Sequence, residues 1–224
     1  MISPTRSFAI AAIVGVLLPG GASLAVGTRA PDIGMLGSLA AVPEHSVNLD
    51  ARPHLLASPV FDIPIDGKAT FAEATAKLGA AAVRRMGKDE TGPRYVCYRS
   101  TRGKPAVVAV FTSQSAANEE SIDGFAFGLQ SAMPDAMKVC RQVPWLKAED
   151  LKFEKVQLDM PKEKLPATLE KAAGAKPDAR IHWYWKSPDA TAGDTPAPAI
   201  TGGFAAFTEG RLVFFYAYSA TGRN

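Results

Sequence analysis

A chain of 224 residues, 47% hydrophobic and 21% charged, has the make-up of a folded protein of one large or two small domains, which excludes a disordered or collagen-like chain. Its 25 basic and 22 acidic residues are scattered, for a net charge of +3, and no Lys/Arg run or basic stripe points to nucleic acid as a partner.

Residues 1–25 read as a signal peptide. Arg6 supplies the positive start, Phe8 to Leu18 the apolar run, Pro19-Gly20-Gly21 the break, and Ser23-Leu24-Ala25 the small residues before cleavage. The run falls short of the ~20 residues a membrane span requires. Neither it nor any later segment is expected to cross a bilayer, and no cysteine near the cleavage point offers a lipid anchor. The expected location is periplasmic or secreted. In such an oxidising compartment Cys97 and Cys140 are expected to form a structural disulfide. The loop it closes, roughly 40 residues, corresponds to about 3–4 kcal/mol in the chain-entropy view.

Residues 26–58 are rich in Ala, Gly and Pro without sustained period and read as a flexible lead-in, with His45 and His54 as solvated loop residues. A first α+β unit is expected over 59–143. Val60 to Ile65 begins it as an edge strand, because Pro64 lacks a donor. Thr70-Phe71-Ala72-Glu73 is a capping box, and the helix that follows places Phe71, Ala74, Thr75 and Leu78 on one face before Gly79 stops it. Strands are expected at Tyr95–Ser100, Pro105–Thr112 and Ile122–Leu129, and Ser131–Val143 carries the second cysteine.

The second unit, 144–224, repeats the order. Phe153–Met160 alternates as a strand, Pro166 opens a helix lined by Leu165, Leu169, Ala172 and Ala173, and Ile181–Lys186 returns as a strand. A final hairpin turns at Glu209-Gly210. The fold class expected is therefore α+β: two similar units, each a short helix packed on one face of a small antiparallel sheet. Trp145, between the units, is expected to plug their junction.

The helix ending in Leu78-Gly79 or Ala173-Gly174, the strands Tyr95-Val96-Cys97-Tyr98 and His182-Trp183-Tyr184-Trp185, and the hairpin Phe207 to Val213 carry a resemblance. Over roughly residues 59–224 the chain resembles the small outer-membrane-assembly lipoproteins and the tandem units of β-lactamase-inhibitor proteins. It departs from the lipoproteins in having no lipidation cysteine, and Asp66-Gly67-Lys68-Ala69-Thr70 replaces their glycine-bracketed lead into the helix. The resemblance implies a non-catalytic protein-binding module and does not carry over which protein is bound; another envelope protein is the expected partner.

No metalloprotease, nucleophile-elbow, Walker or dinucleotide motif is present, so no catalytic residue, metal ligand or cofactor is assigned. His182 is the one histidine in an expected element. The last strand is apolar on both sides, with Leu212, Phe214, Tyr216 and Tyr218 opposing Val213, Phe215 and Ala217. A tyrosine hydroxyl seeks water or a partner. The helix is therefore expected over Phe215, with Tyr184, Tyr216 and Tyr218, together with His182, forming an outward aromatic binding face. Two alternatives stand beside this reading: a structural envelope protein that buries those rings and binds nothing, and an enzyme built around His182 or an aspartate.

Overall fold

Thr70 folds as its chemistry dictates. Its side chain accepts from the Glu73 backbone N–H at 3.2 Å, and the Glu73 carboxylate accepts from the Thr70 N–H at 2.7 Å. Helix α1 (Phe71–Leu78) follows, buries Phe71, Ala74 and Leu78, and ends at Gly79, whose φ of 100° suits glycine. The computed structural model describes residues 47–48, 60–86, 92–114, 120–134, 136–153, 155–165, 180–186 and 199–221; the side chains of 47–48, 137, 180–186, 199–201 and 220–221 are outside that description. The expected signal peptide, most of the lead-in and the helix expected from Pro166 lie outside the described residues.

In chain order the strands are β1 (Val47–Asn48), β2 (Arg84–Arg85), β3 (Arg94–Ser100), β4 (Val107–Ser113), β5 (Gly124–Leu129), β6 (Arg141–Val143), β7 (Lys152–Phe153), β8 (Val156–Gln157), β9 (Arg180–Lys186), β10 (Ala199–Thr208) and β11 (Arg211–Thr221). A second short helix, α2 (Ala136–Val139), precedes β6. Nine strands make one sheet in the order β1-β9-β10-β11-β5-β4-β3-β2, with β6 also paired to β3. All its pairings are antiparallel except β1 with β9 and β3 with β6. The fold is α+β, mostly antiparallel sheet with, among the described residues, one helix of more than a single turn.

The turn at Glu209-Gly210 has φ of 52° and 72°, the paired positive values that a tight two-residue hairpin requires. Next to it, Phe207 pairs with Leu212 but Ala206 pairs with Phe214, so Val213 is an extra residue in β11. A one-residue bulge reverses the alternation. Leu212 consequently shares a cluster with Phe215 and Ala217, and not with Phe214, Tyr216 and Tyr218 as simple alternation predicts.

Two layers of apolar side chains cover the sheet. One joins Phe71, Ala74 and Leu78 of α1 to Val96, Tyr98, Phe111, Phe125, Phe127 and Phe215. The other joins Met133, Ala136 and Cys140 to Tyr95, Val110, Ala126, Phe204, Phe214, Tyr216 and Tyr218. In the first layer α1 lies on the Phe215 side of the sheet; the second unit's helix, the one expected over Phe215, lies outside the described residues.

Two expected strands are corrected. Val60 to Ile65 forms no ladder strand; it crosses the α1 layer with Phe61, Ile63 and Ile65 buried, and Asp62 takes a φ of 49°. Phe153 to Met160 is not one strand either. Phe153 and Val156 both reach the α1 layer although three residues apart, which a straight strand would send to opposite faces. The chain folds back instead, and β7 pairs with β8 in a separate two-stranded sheet.

Cys97 and Cys140 are joined, with Cα atoms 4.8 Å apart. The bond lies in the second layer and holds β6 along β3, where Arg141 pairs with Tyr98 and Val143 with Ser100.

Candidate interaction surface

The four residues expected to form a binding face occupy two neighbouring cross-strand rows. One row runs His182, Phe204, Tyr216, Ala126; the next runs Tyr184, Gly202, Tyr218, Gly124. The side chains of His182 and Tyr184 lie outside the description. Tyr216 and Tyr218 are not outward: they are 0% and 6% exposed. The physical reason is position. β11 is central, between β10 and β5, and both of its faces are packed.

The Tyr216 hydroxyl finds its partners inside the protein. It lies 3.4 Å from Thr112 Oγ1 and accepts from Gln114 Nε2. The Gln114 backbone N–H in turn donates to both oxygens of the buried Asp123 carboxylate, at 2.9 and 2.8 Å. Burial raises the Tyr216 pKa, and the Asp123 charge raises it further, against the lowering effect of the Thr112 and Gln114 hydrogen bonds. Tyr218 is raised by burial as well, and the two rings stack at 5.7 Å. Gly124 makes room for this cluster, because a Cβ there would stand 2.2 Å from Thr112 Oγ1. The cluster fastens β4, β5 and β11 together.

The large apolar side chains that do face solvent are Val60, 62% exposed, and Trp145, 37% exposed, among the described residues. Val143 and Leu146 are buried on either side of the Pro144-Trp145 bend, so the backbone holds Trp145 outward. Its ring meets Phe61 edge-on at 5.9 Å and Tyr98 at 6.0 Å and 48°. Both supporting rings are buried, and Tyr98 is fixed further by a 2.8 Å hydrogen bond from its hydroxyl to the Gly79 carbonyl at the end of α1. Burial pushes the Tyr98 phenol up to about 12, opposed by the nearby positive charge of Arg141. Trp145 is thus a pre-set ring on the rim of the α1 layer, resting on residues of the first half of the chain; the expected plug between units is corrected. Composition alone did not mark Val60 and Trp145, since a lone tryptophan beside proline has no period to place it.

Beside this corner, α1 and the Asp62–Pro64 segment enclose a cleft of about 320 Å³ lined by alternating charges, among them Asp62, Lys68, Glu73 and Lys77. Lys77 donates to the Asp62 carbonyl at 3.1 Å and pairs with its carboxylate at 3.4 Å. Lys68 pairs with Asp66 at 3.1 Å. These charges satisfy one another in solvent, which makes them a polar border to the apolar corner.

Among the described residues no three of His, Cys, Asp and Glu stand together as metal ligands, and no helix is long and apolar enough to cross a membrane. No family model, no curated protein and no solved structure matches this chain.

Proposed function

We propose that this chain is an exported, non-catalytic protein-binding module of the bacterial envelope or its surroundings, which docks a protein partner on the exposed corner of Trp145 and Val60, the latter being the chain neighbour of the Phe61 ring that Trp145 meets. The observation that carries the reading is Trp145 itself: a partly exposed tryptophan held from behind by two buried aromatic rings. Tryptophan is prominent among the residues that dominate interface energies, and a ring already fixed loses little freedom on binding. The Cys97–Cys140 disulfide supports export, because such bonds persist in oxidising compartments.

The proposal includes two similar units. Strands β9-β10-β11 and β3-β4-β5 are each a three-stranded antiparallel run, and they meet through β11 and β5 at the middle of the sheet. That order suits the resemblance to the tandem inhibitor proteins, whose implication is protein binding. The outward tyrosine face is withdrawn from the reading, since Tyr216 and Tyr218 are interior.

A second reading, a structural envelope protein without a ligand, is favoured by that same burial. One comparison separates them. The mature chain and its Trp145→Ala variant are immobilised and exposed to an extract of the source organism's envelope, with melting temperatures measured on both. A species retained by the native chain and lost on the equally folded variant supports the module. Identical profiles from both chains refute docking at Trp145.

A further inference from the structure

The apolar corner has a basic rim. Arg141 is exposed and is the register partner of Tyr98, the ring on which Trp145 rests. The Thr101 N–H donates to the Val143 carbonyl at 3.2 Å. This bond brings the start of the β3–β4 loop, with exposed Arg102 and Lys104, next to the bend that carries Trp145. The acidic side chains described near the corner are engaged elsewhere: Asp62 with Lys77, Glu149 with Lys147 at 3.3 Å, and Asp150 with the Lys147 backbone N–H at 3.2 Å. Among the described residues, Arg102, Lys104 and Arg141 make no ion pair.

We propose that this surface recognises an acidic protein segment, one that sets a large apolar side chain against Trp145 and Val60 and one or more carboxylates against Arg141 and Arg102. The inference rests on the docking reading above and adds the partner's chemistry. The apolar contact supplies most of the holding energy, because a half-exposed ring becomes fully covered. The guanidinium groups add direction, since Arg presents a planar fork that fits a carboxylate with two parallel hydrogen bonds. Their positions are open to solvent, so they act mainly on encounter and selectivity and are screened by salt. A basic or neutral apolar segment would meet the same ring but would face like charges, or unmatched ones, at the rim.

The test uses the full mature chain and a displayed library of random dodecapeptides as the probe. Selected peptides are measured against the native chain and against Trp145→Ala, Val60→Asp, Arg141→Glu and Arg102→Glu, each checked for an unchanged melting temperature. The expected result is a set of peptides with Asp or Glu within a few residues of Trp, Phe or Leu. Trp145→Ala or Val60→Asp should remove their binding; the second variant serves if the first fails to fold. Arg141→Glu should weaken it about tenfold, which is about 1.4 kcal/mol, with the difference shrinking at high salt. Peptides that depend on Trp145 but carry no acidic bias, and that ignore Arg141→Glu, overturn this inference and leave the docking reading standing. Peptides indifferent to Trp145 and Val60 overturn both. Binding to vesicles of phosphatidylglycerol and phosphatidylcholine that is lost on Arg141→Glu, with no peptide captured, assigns the rim to lipid and also overturns it.

Discussion

Gly124 is the residue on which the buried hydroxyl cluster turns. Its missing Cβ is space taken by Thr112 Oγ1, and Thr112 is itself wholly buried beside the Tyr216 hydroxyl. Gly124→Ala should therefore cost about 1–3 kcal/mol by overpacking, read as a lower denaturant midpoint with unchanged slope. Combining it with Thr112→Ala should cost less than the sum of the single changes, because the second substitution removes the atom the first collides with. Additive costs would mean that the two residues do not contend for the same space. A second expectation concerns alkaline pH. Burial raises the pKa values of Tyr98 and Tyr216 in the folded state above the ordinary phenol value of 10.0, Tyr98 to about 12. A raised pKa means that the stability contributed is complete below the unfolded value and is lost as pH rises through the folded one. Denaturant midpoints should thus fall from pH 10 toward about 12, and Tyr98→Phe should flatten that fall. A native slope left unchanged by Tyr98→Phe would remove Tyr98 as its source. The sequence indicated that tyrosine hydroxyls need partners, yet not that Gln114 and Thr112, a hundred residues away, supply them for Tyr216.

At the scale of single elements, the legible parts were those with local chemistry. The Thr70–Glu73 capping box, the Gly79 stop and the Glu209-Gly210 hairpin each depend on residues within a few positions, and each formed as expected. Cys97 and Cys140 were legible as a pair because the chain has only two cysteines. The missed parts depend on distant neighbours. The three residues of β6 carry no strand signal of their own; they become a strand because the disulfide sets Cys140 beside β3. The Val213 bulge has no signature beyond the alternation it breaks. The separation of 43 residues between the cysteines gives a stabilisation of about 4 kcal/mol in the chain-entropy view. Replacing both by alanine should lower stability by up to that amount. Amide exchange at Arg141–Val143 should accelerate more than at the centre of β4. Equal acceleration everywhere would mean that the bond acts on the whole fold and not on this strand.

Across the whole molecule, the halves expected as separate units share one interior. Phe127 of β5 meets Phe215 of β11 at 5.5 Å, and Phe215 continues to Phe153 at 5.3 Å. β5 is buried from Gly124 to Gly128, so a fragment ending at residue 143 would expose a long apolar strand along its hydrogen-bonding side. The fragment 59–143 alone is expected to aggregate or remain molten. Mixed with 144–224 it should regain the native circular dichroism. A soluble, cooperatively folding 59–143 fragment would show that the first half is an independent domain. The order of strands was partly legible, since each half announced its own three. Their meeting at β5 and β11 was not, because nothing in either strand's pattern names its neighbour.

The two residues of β1 gain a further significance at this scale. Val47 and Asn48 run parallel to Trp183 and Tyr184 and are the outermost strand on that side of the sheet. They act as a guard rail: with them in place, another polypeptide finds the β9 backbone groups there already taken. A chain trimmed to begin at Pro59 keeps every aromatic contact described here but loses that guard. It should self-associate as concentration rises, seen as growing light scattering, while the untrimmed chain stays constant. On that outcome, the stretch least like a folded domain in composition governs whether this edge of the sheet remains solitary.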